Sequence, residues 1–198
     1  TQQQNRYEHS LGVYHLVKKF GGSIQERVMA LLHDISHTAF SHVGDYVLDY
    51  SDEDYHESIF MQVVSHPEIK SILDKYNLAD MFNDEQQYTL LEEPLPGICA
   101  DRIDYTLRDL YHAGIIDGVA VKAFIDDLEN QEGRLVITTK ASTDWFALHY
   151  KILNEQYFRR PEYLFANQKL TELLKEAINE GVLLKEDLLL NDLGVITK

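Results

Sequence analysis

The sequence predicts a mostly α-helical protein with at most one small β element. Through most of the chain, apolar residues recur every three or four positions, which is the period of an amphipathic helix. Only residues 134–139 are rich in the β-branched side chains that favour a strand. With 198 residues, of which 44% are hydrophobic and 26% charged, the chain can bury a substantial core.

The predicted helices follow one another from the N-terminus. Residues 7–20 carry an apolar face, and the pair Gly21 and Gly22 ends it. Ser23 with Glu26 forms a capping-box pattern, which opens a second helix that extends to about residue 33. Further helices are predicted over residues 40–50, 54–65, 98–112, 119–130 and 143–180.

Two prolines and the position of the motifs indicate how the chain is organised. Pro67 and Pro161 are predicted to interrupt helices. We expect residues 1–115 to form the functional core and residues 116–198 to form a helical extension that completes its pocket. The first motif begins at Arg6, so we also expect that residues preceding it are missing.

The charge and cysteine content make several classes of protein less favoured than others. The formal net charge of −15 disfavours binding to nucleic acid or to anionic membranes. No apolar run approaches the roughly 20 residues of a membrane helix. The single cysteine cannot form an intrachain disulfide, which suits a reducing compartment. We therefore expect a cytoplasmic protein.

Seven of the nine histidines lie in the first third of the chain, and one of them is followed directly by Asp34. The five that we consider as functional groups are His9, His33, His37, His42 and His56. Imidazole and carboxylate groups without thiolates are typical of a catalytic metal centre rather than a structural zinc site. Spacing alone leaves open the alternative that they are ordinary surface or core histidines.

A second polar cluster lies between residues 101 and 109. On a helix, Asp101, Asp104 and Tyr105 would face one way, with Arg108 and Asp109 one turn further on. One interpretation is a solvated face of ion pairs. The other is that these groups point into a cleft, because the same helix also has an apolar side.

Together, these motifs resemble the HD-domain dNTP triphosphohydrolases, which include SAM-and-HD-domain and bacterial dGTPase-like proteins. Four segments carry the resemblance: residues 6–12, 32–42, 55–57 and 100–109. Their order and spacing match across residues 6–112. The resemblance implies an HD-domain helical bundle and a metal-dependent phosphohydrolase.

The resemblance assigns a metal site and a catalytic group. It implies that the metal ligands are His9, His33, Asp34 and Asp101. His37 and His42 would contact phosphates. His56 would be the catalytic histidine, and Asp45 would orient it.

It also assigns residues that bind the substrate. Arg6 and Arg102 stand where family members contact phosphates. Tyr105 and Asp109 would hold the sugar, and Tyr157 resembles a residue that contacts sugar and base. One loop departs from the family pattern, because Ser36, Thr38 and Ala39 replace Gly, Gly and Pro.

The expected activity is hydrolysis of a nucleotide, most specifically a deoxynucleoside triphosphate, with one divalent metal ion. Mn, Fe, Ni, Mg and Zn are not distinguishable, and His37, His42 and His56 leave room for a second metal. The alternatives are a nucleoside 5′-monophosphatase, another HD phosphatase, and a non-catalytic HD-fold regulatory or binding module. We expect a nucleotide as the small-molecule partner and a homo-oligomer.

Overall fold

The structure is a computed structural model that describes residues 5–50, 52, 54–82 and 88–198. It confirms the predicted fold class, since helices dominate and the described residues contain one two-stranded sheet. The helices are α1 (Arg6–Lys19), α2 (Ile24–Leu32), α3 (His42–Val47), α4 (Tyr55–Val64), α5 (Pro67–Lys75), α6 (Ala100–His112), α7 (Gly118–Asp126), α8 (Lys140–Leu153), α9 (Pro161–Asn179) and α10 (Asp192–Ile196). The strands are β1 (Leu128–Gln131) and β2 (Arg134–Ile137).

The first of two compact units comprises Thr1–His33 and Ile72–Tyr157. In it, α1 packs against α2 and α6, and α6 also contacts α7 and α8. Its core contains the buried side chains of Val13, Val17, Ala30, Ile103, Leu107, Leu110, Phe124, Phe146 and Leu153. The apolar faces predicted from the helical period therefore meet in one core.

The junction between α1 and α2 forms as its sequence predicts. Gly21 adopts a φ of +83°, a left-handed conformation that favours glycine. The Gly22 N–H donates to the carbonyl of Val17 at 2.9 Å, which closes the end of α1. The Ser23 hydroxyl accepts from the Glu26 N–H at 3.1 Å and begins α2.

The helix predicted over residues 119–130 is wrong at its C-terminal end. Helix α7 ends at Asp126, and the chain then forms the hairpin of β1 and β2. Glu132 and Gly133 have φ values of +54° and +88°, as a two-residue hairpin turn of type I′ requires. Leu128 is buried and pairs with Ile137, so tertiary burial and strand pairing outweigh the local helical pattern.

The two prolines act at the starts of helices. Pro161 is the first residue of α9 and confirms the predicted break, which follows a π-helical turn at Asn154–Phe158. Pro67, predicted to stop a helix, also opens α5. Proline fits the first turn because the N–H it lacks has no partner inside the helix there.

The second unit comprises Asp34–Ser71 and Phe158–Lys198. In it, α3 packs against α9, and α10 contacts a 3-10 turn at Lys185–Leu189. Its core contains Ala39, Val43, Val47, Leu174, Leu183, Leu188 and Val195. Both units draw residues from before and after position 115, and the functional division predicted there stays a prediction. Among the described helices, none combines the length and apolar character that crossing a membrane requires.

A buried carboxylate in the first unit fixes the start of α6. Glu26 is 7% exposed, and its Oε1 accepts from the N–H groups of Leu90 and Leu91 at 2.8 and 3.2 Å. The carbonyls of the same two residues accept from the N–H groups of Ala100 and Asp101 at 2.7 and 3.2 Å. Burial raises the pKa of Glu26, and the backbone hydrogen bonds oppose that shift. Through Leu90 and Leu91, Glu26 on α2 therefore supports the segment that bonds to Ala100 and Asp101, the first two residues of α6.

We expect Glu26→Ala to lower the free energy of unfolding by about 2–4 kcal/mol, because two buried N–H groups lose their acceptor. Glu26→Gln keeps a side-chain oxygen that can accept these hydrogen bonds, so it should lower the free energy of unfolding by less. Urea unfolding of both variants measures the difference. A Glu26→Ala protein within about 0.5 kcal/mol of wild type, the range of ordinary surface substitutions, would contradict this role.

Candidate metal centre and histidine cluster

Three predicted metal ligands come together in the first unit. His9 lies on α1, His33 follows the last residue of α2, and Asp101 lies in the first turn of α6. His9 Nε2 lies 3.0 Å from Asp101 Oδ1 and 3.3 Å from His33 Nε2. His33 Nε2 lies 3.5 Å from Asp101 Oδ1. Two imidazole nitrogens and one carboxylate oxygen therefore form a small triangle.

The size of this triangle fits coordination of a single cation. Ligand atoms about 2.1 Å from one ion, in tetrahedral or octahedral geometry, lie roughly 3.0–3.4 Å apart. The observed separations of 3.0, 3.3 and 3.5 Å match that range closely. The nitrogen and oxygen donors suit Mn, Fe, Ni or Zn. These residues therefore fit the divalent metal that the sequence predicts.

The outer nitrogens of both rings have acceptors. His9 Nδ1 donates to Asp104 Oδ2 at 2.9 Å, and His33 Nδ1 donates to the carbonyl of Ala30 at 2.9 Å. These bonds favour the tautomer in which Nδ1 carries the proton and Nε2 offers a lone pair to the centre of the triangle. Each imidazole is therefore oriented from behind toward one common point.

The charge of Asp101 is strongly stabilised at this site. Burial alone would raise the pKa of Asp101, but the neighbouring imidazoles of His33 and His9 outweigh it and lower the pKa to about 2. The exposed fractions of the His9, His33 and Asp101 side chains are 14%, 16% and 31%. The triangle is thus partly shielded yet remains accessible to a ligand from solvent.

Asp34, the fourth predicted metal ligand, is described with the second unit. It follows His33 directly in the chain, and within its own unit its carboxylate lies 3.4 Å from His37 Nε2. Its role as a metal ligand stays a prediction.

Three histidines cluster within the second unit. His37 stacks on His56 with ring centroids 3.7 Å apart and 14° between the planes. His42 meets the edge of His37 at 5.3 Å between centroids. We call His37, His42 and His56 the histidine cluster. The resemblance grouped these residues by function, and the structure places their rings side by side.

Asp45 contributes a buried carboxylate to this cluster. It is 1% exposed, and its Oδ2 accepts from His42 Nδ1 at 3.1 Å. Donor atoms of His42, Asp45 and His56 lie within 4.8 Å of one another, which permits a second metal. The buried Nδ1 of His56 has no hydrogen-bond partner among the described residues, so orientation of His56 by Asp45 stays a prediction.

The unusual loop before His42 has compensating contacts. The N–H of Ala39, which a proline would lack, donates to the carbonyl of Leu188 at 2.8 Å. Thr38 is buried, and a Cβ on Gly44 would lie only 1.9 Å from its hydroxyl oxygen, so glycine at position 44 makes room for it. Phe40 and Ser41 adopt φ values of +59° and +54°. The substituted loop therefore has a defined, strained shape.

Two of the predicted substrate residues, Arg102 and Tyr105, make hydrogen bonds within the protein. Arg102 Nη1 donates to the carbonyl of Glu93 at 3.0 Å and also to that of Gly97, so part of its guanidinium supports a loop. Tyr105 is half-buried with its hydroxyl 3.5 Å from that of Tyr150. Burial and this contact raise the pKa of Tyr105 well above its ordinary value.

The other predicted substrate residues are described by their positions. Arg6 begins α1 and Asp109 lies on α6. Tyr157 lies in the π-helical turn and packs against the core of the first unit. Their contacts with a substrate stay predictions.

The sequence interpretation missed two residues that support the triangle. Asp104 bonds His9, and Glu26 fixes the segment that leads into Asp101. The signal for Asp104 was present, since it follows Asp101 by three positions and precedes Arg108 by four. The same spacing is typical of ion pairs on a solvent-exposed helix. Only the packing of α1 on α6 shows that Asp104 contacts His9 instead of facing solvent.

Comparison with known proteins identifies the family. Residues 6–109, more than half of the chain, match the HD domain family. The chain therefore belongs to the HD domain family. That match contains His9, His33 and Asp101 as well as the histidine cluster.

Individual relatives agree with this assignment. The chain is 44% identical over 194 residues to the uncharacterised protein YdhJ of Bacillus subtilis, covering 96% of this chain and 59% of YdhJ. It is 40% identical over 115 residues to a metal-dependent phosphohydrolase of Cordyceps militaris, covering 58% of this chain and 33% of that protein. The chain thus spans only part of the length of the relatives it matches.

A solved structure has a similar fold. The phosphohydrolase from Bacteroides thetaiotaomicron superposes with a TM-score of 0.68 at 25% identity, covering 89% of this chain and 48% of that one. The similarity extends well beyond the residues of the HD match.

We expect Asp101→Asn to lose bound metal, because the substitution removes the only charge among the three donor groups of the triangle. Metal content of the purified protein, measured by inductively coupled plasma mass spectrometry after loading with Mn²⁺, checks this. Asp126→Asn, which changes an exposed carboxylate on α7, serves as the matched control and should keep wild-type metal. An Asp101→Asn protein with wild-type metal content would contradict the assignment.

Proposed function

We propose that this chain is a metal-dependent phosphohydrolase that acts on nucleotides, and most specifically on deoxynucleoside triphosphates. One observation carries the proposal: the convergence of His9 Nε2, His33 Nε2 and Asp101 Oδ1 within 3.5 Å of one another. The metal-dependent phosphohydrolase and phosphohydrolase names of two relatives support the reaction class. Asp34 is proposed as a further ligand because it completes the His-Asp pair in sequence.

The proposed reaction has a simple atomic balance. A water oxygen bonds to the α-phosphorus, and the bond from that phosphorus to the 5′ oxygen breaks. The 5′ oxygen takes up a proton, which gives nucleoside and tripolyphosphate. A bound divalent metal supplies Lewis acidity that lowers the pKa of water and polarises a phosphoryl oxygen.

The chain's own residues perform the remaining tasks. His56 is proposed to donate the proton to the departing 5′ oxygen, since imidazole exchanges protons near neutral pH. His37 and His42 are proposed to neutralise phosphate charge. The contacts between the rings of the histidine cluster support the proposal that all three act on the same substrate. Tyr105 and Asp109 are proposed to hold the sugar, with Tyr157 beside the base.

The triphosphate assignment rests on the predicted substrate contacts of Arg6, Tyr105 and Asp109, with Arg102 as a further predicted phosphate contact. The hydrogen bonds from Arg102 to the carbonyls of Glu93 and Gly97 occupy part of its guanidinium and favour a second candidate. That candidate is a nucleoside 5′-monophosphatase, which needs fewer phosphate contacts. A non-catalytic binding module remains an alternative outcome. Cytoplasmic location and a homo-oligomeric state stay predictions.

A substrate panel separates these functions. Purified protein with Mn²⁺ is incubated with deoxynucleoside triphosphates, ribonucleoside triphosphates and nucleoside monophosphates, and products are resolved by ion-exchange chromatography. We expect nucleoside and tripolyphosphate from the deoxynucleoside triphosphates, with no activity after chelation. Run in ¹⁸O-labelled water, the reaction should label tripolyphosphate and leave the nucleoside unlabelled.

Each other result points to a different function. Turnover of monophosphates alone would replace the triphosphatase with a 5′-nucleotidase. Metal binding without release of any phosphate product from the panel would favour the regulatory module.

We expect His56→Ala to keep its metal and lose turnover by about 10²–10⁴-fold, the usual contribution of a general acid. Steady-state kinetics and metal content measured on the same preparation check this. His66→Ala, at an exposed histidine just after α4, is the control and should behave as wild type. Unchanged turnover in His56→Ala would exclude His56 as the proton donor.

A further inference from the structure

The polar side chain of Asp104, one turn after Asp101 on α6, lies next to the triangle. It is 9% exposed and lies between a ring and a guanidinium. Its Oδ2 accepts from His9 Nδ1 at 2.9 Å. Arg108 donates to Oδ2 through Nε at 2.8 Å and to Oδ1 through Nη2 at 2.9 Å. Both carboxylate oxygens are therefore engaged, in a paired geometry that fixes the plane of the carboxylate.

Gly12 provides the space for this arrangement. It lies three positions after His9, on the same side of α1. A Cβ at position 12 would lie 2.0 Å from Asp104 Oδ1 and 2.4 Å from Arg108 Nη2. Any larger side chain would push the pair away from α1. The absence of a side chain at position 12 therefore leaves room for Asp104 and Arg108 beside α1.

We propose that Asp104 is a positioning residue for His9, with Arg108 as its clamp, and that this set adjusts how strongly the triangle binds metal. The inference rests on the proposed metal centre and adds residues for which the sequence left open a solvated ion pair or a position in a cleft. A carboxylate behind a ligating imidazole fixes the tautomer and ring orientation and makes Nε2 a stronger donor. His33 Nδ1 donates instead to the neutral carbonyl of Ala30, so the two histidines are held differently.

Metal affinity of the purified chain tests the proposal without any substrate. Titration calorimetry with Mn²⁺, and with Zn²⁺ in competition with a chelator, gives the dissociation constants. We expect Asp104→Ala to bind each metal about 10–100-fold more weakly than wild type. Asp104→Asn keeps an oxygen that can accept from His9, so its metal affinity should fall by less. Gly12→Ala removes no polar group and should also weaken binding, because its methyl displaces Asp104.

Two measurements separate positioning from general loss of structure. Asp144→Ala removes a carboxylate from an exposed i,i+4 pair with Lys140 and is the matched control, with wild-type affinity expected. Long-range ¹H–¹⁵N spectra of the Zn²⁺-loaded protein report the His9 tautomer. We expect the proton on Nδ1 in wild type, with that proton signal lost to fast solvent exchange in Asp104→Ala. Unfolding in the presence of chelator shows whether each variant is folded.

The outcomes are distinct from those that test the proposed function. If wild type and folded Asp104→Ala bind metal equally well, Asp104 has no positioning role, while the phosphohydrolase proposal stands. If wild type binds neither Mn²⁺ nor Zn²⁺, both proposals fail together. If Asp104→Ala is unfolded in chelator, Gly12→Ala and Asp104→Asn decide the matter, and wild-type affinity in both would overturn the inference.

Discussion

The structure of the first unit depends on one constraint: three donor atoms from α1, the end of α2 and α6 must approach within 3.5 Å. Such a cluster of lone pairs and negative charge is costly to bring together unless a cation balances it. The helices are therefore fixed by more than apolar packing. Gly12 allows α1 and α6 to approach, and Glu26 ties α2 to the start of α6.

Charge is distributed unevenly around that constraint. The chain as a whole is strongly acidic, and the triangle holds the carboxylate of Asp101, while the charge of Asp104 behind it is paired with Arg108. A divalent metal there would reverse the local field and attract an anionic phosphate despite the net charge of −15. The histidine cluster in the second unit is likewise built from groups that can be cationic. Acidic composition disfavours broad polyanion binding but is compatible with one phosphate-binding cleft.

The sequence predicted most of the helices, and the resemblance named three residues that the structure brings together in the triangle. Amphipathic periodicity and the Gly21–Gly22 pair fixed the ends of α1, and the spaced motifs indicated His9, His33 and Asp101. The strand β1 was missed because its Leu-Glu-Asn-Gln sequence continues a helical pattern and only pairing with β2 makes it a strand. Left-handed Phe40 and Ser41 leave no signal in residue type, because non-glycine residues rarely adopt such angles. The contact between Asp104 and His9 could not be predicted, because it depends on how α1 packs against α6 and periodicity does not give that packing.

The central claim is that His9, His33 and Asp101 share one metal ion. Anomalous diffraction from crystals of the protein grown with Mn²⁺ tests it most directly, because the signal locates the ion without reference to activity. The account predicts an anomalous peak about 2.0–2.3 Å from His9 Nε2, His33 Nε2 and Asp101 Oδ1 together. Fully loaded crystals whose anomalous density lies elsewhere, with no peak inside the triangle, would contradict it.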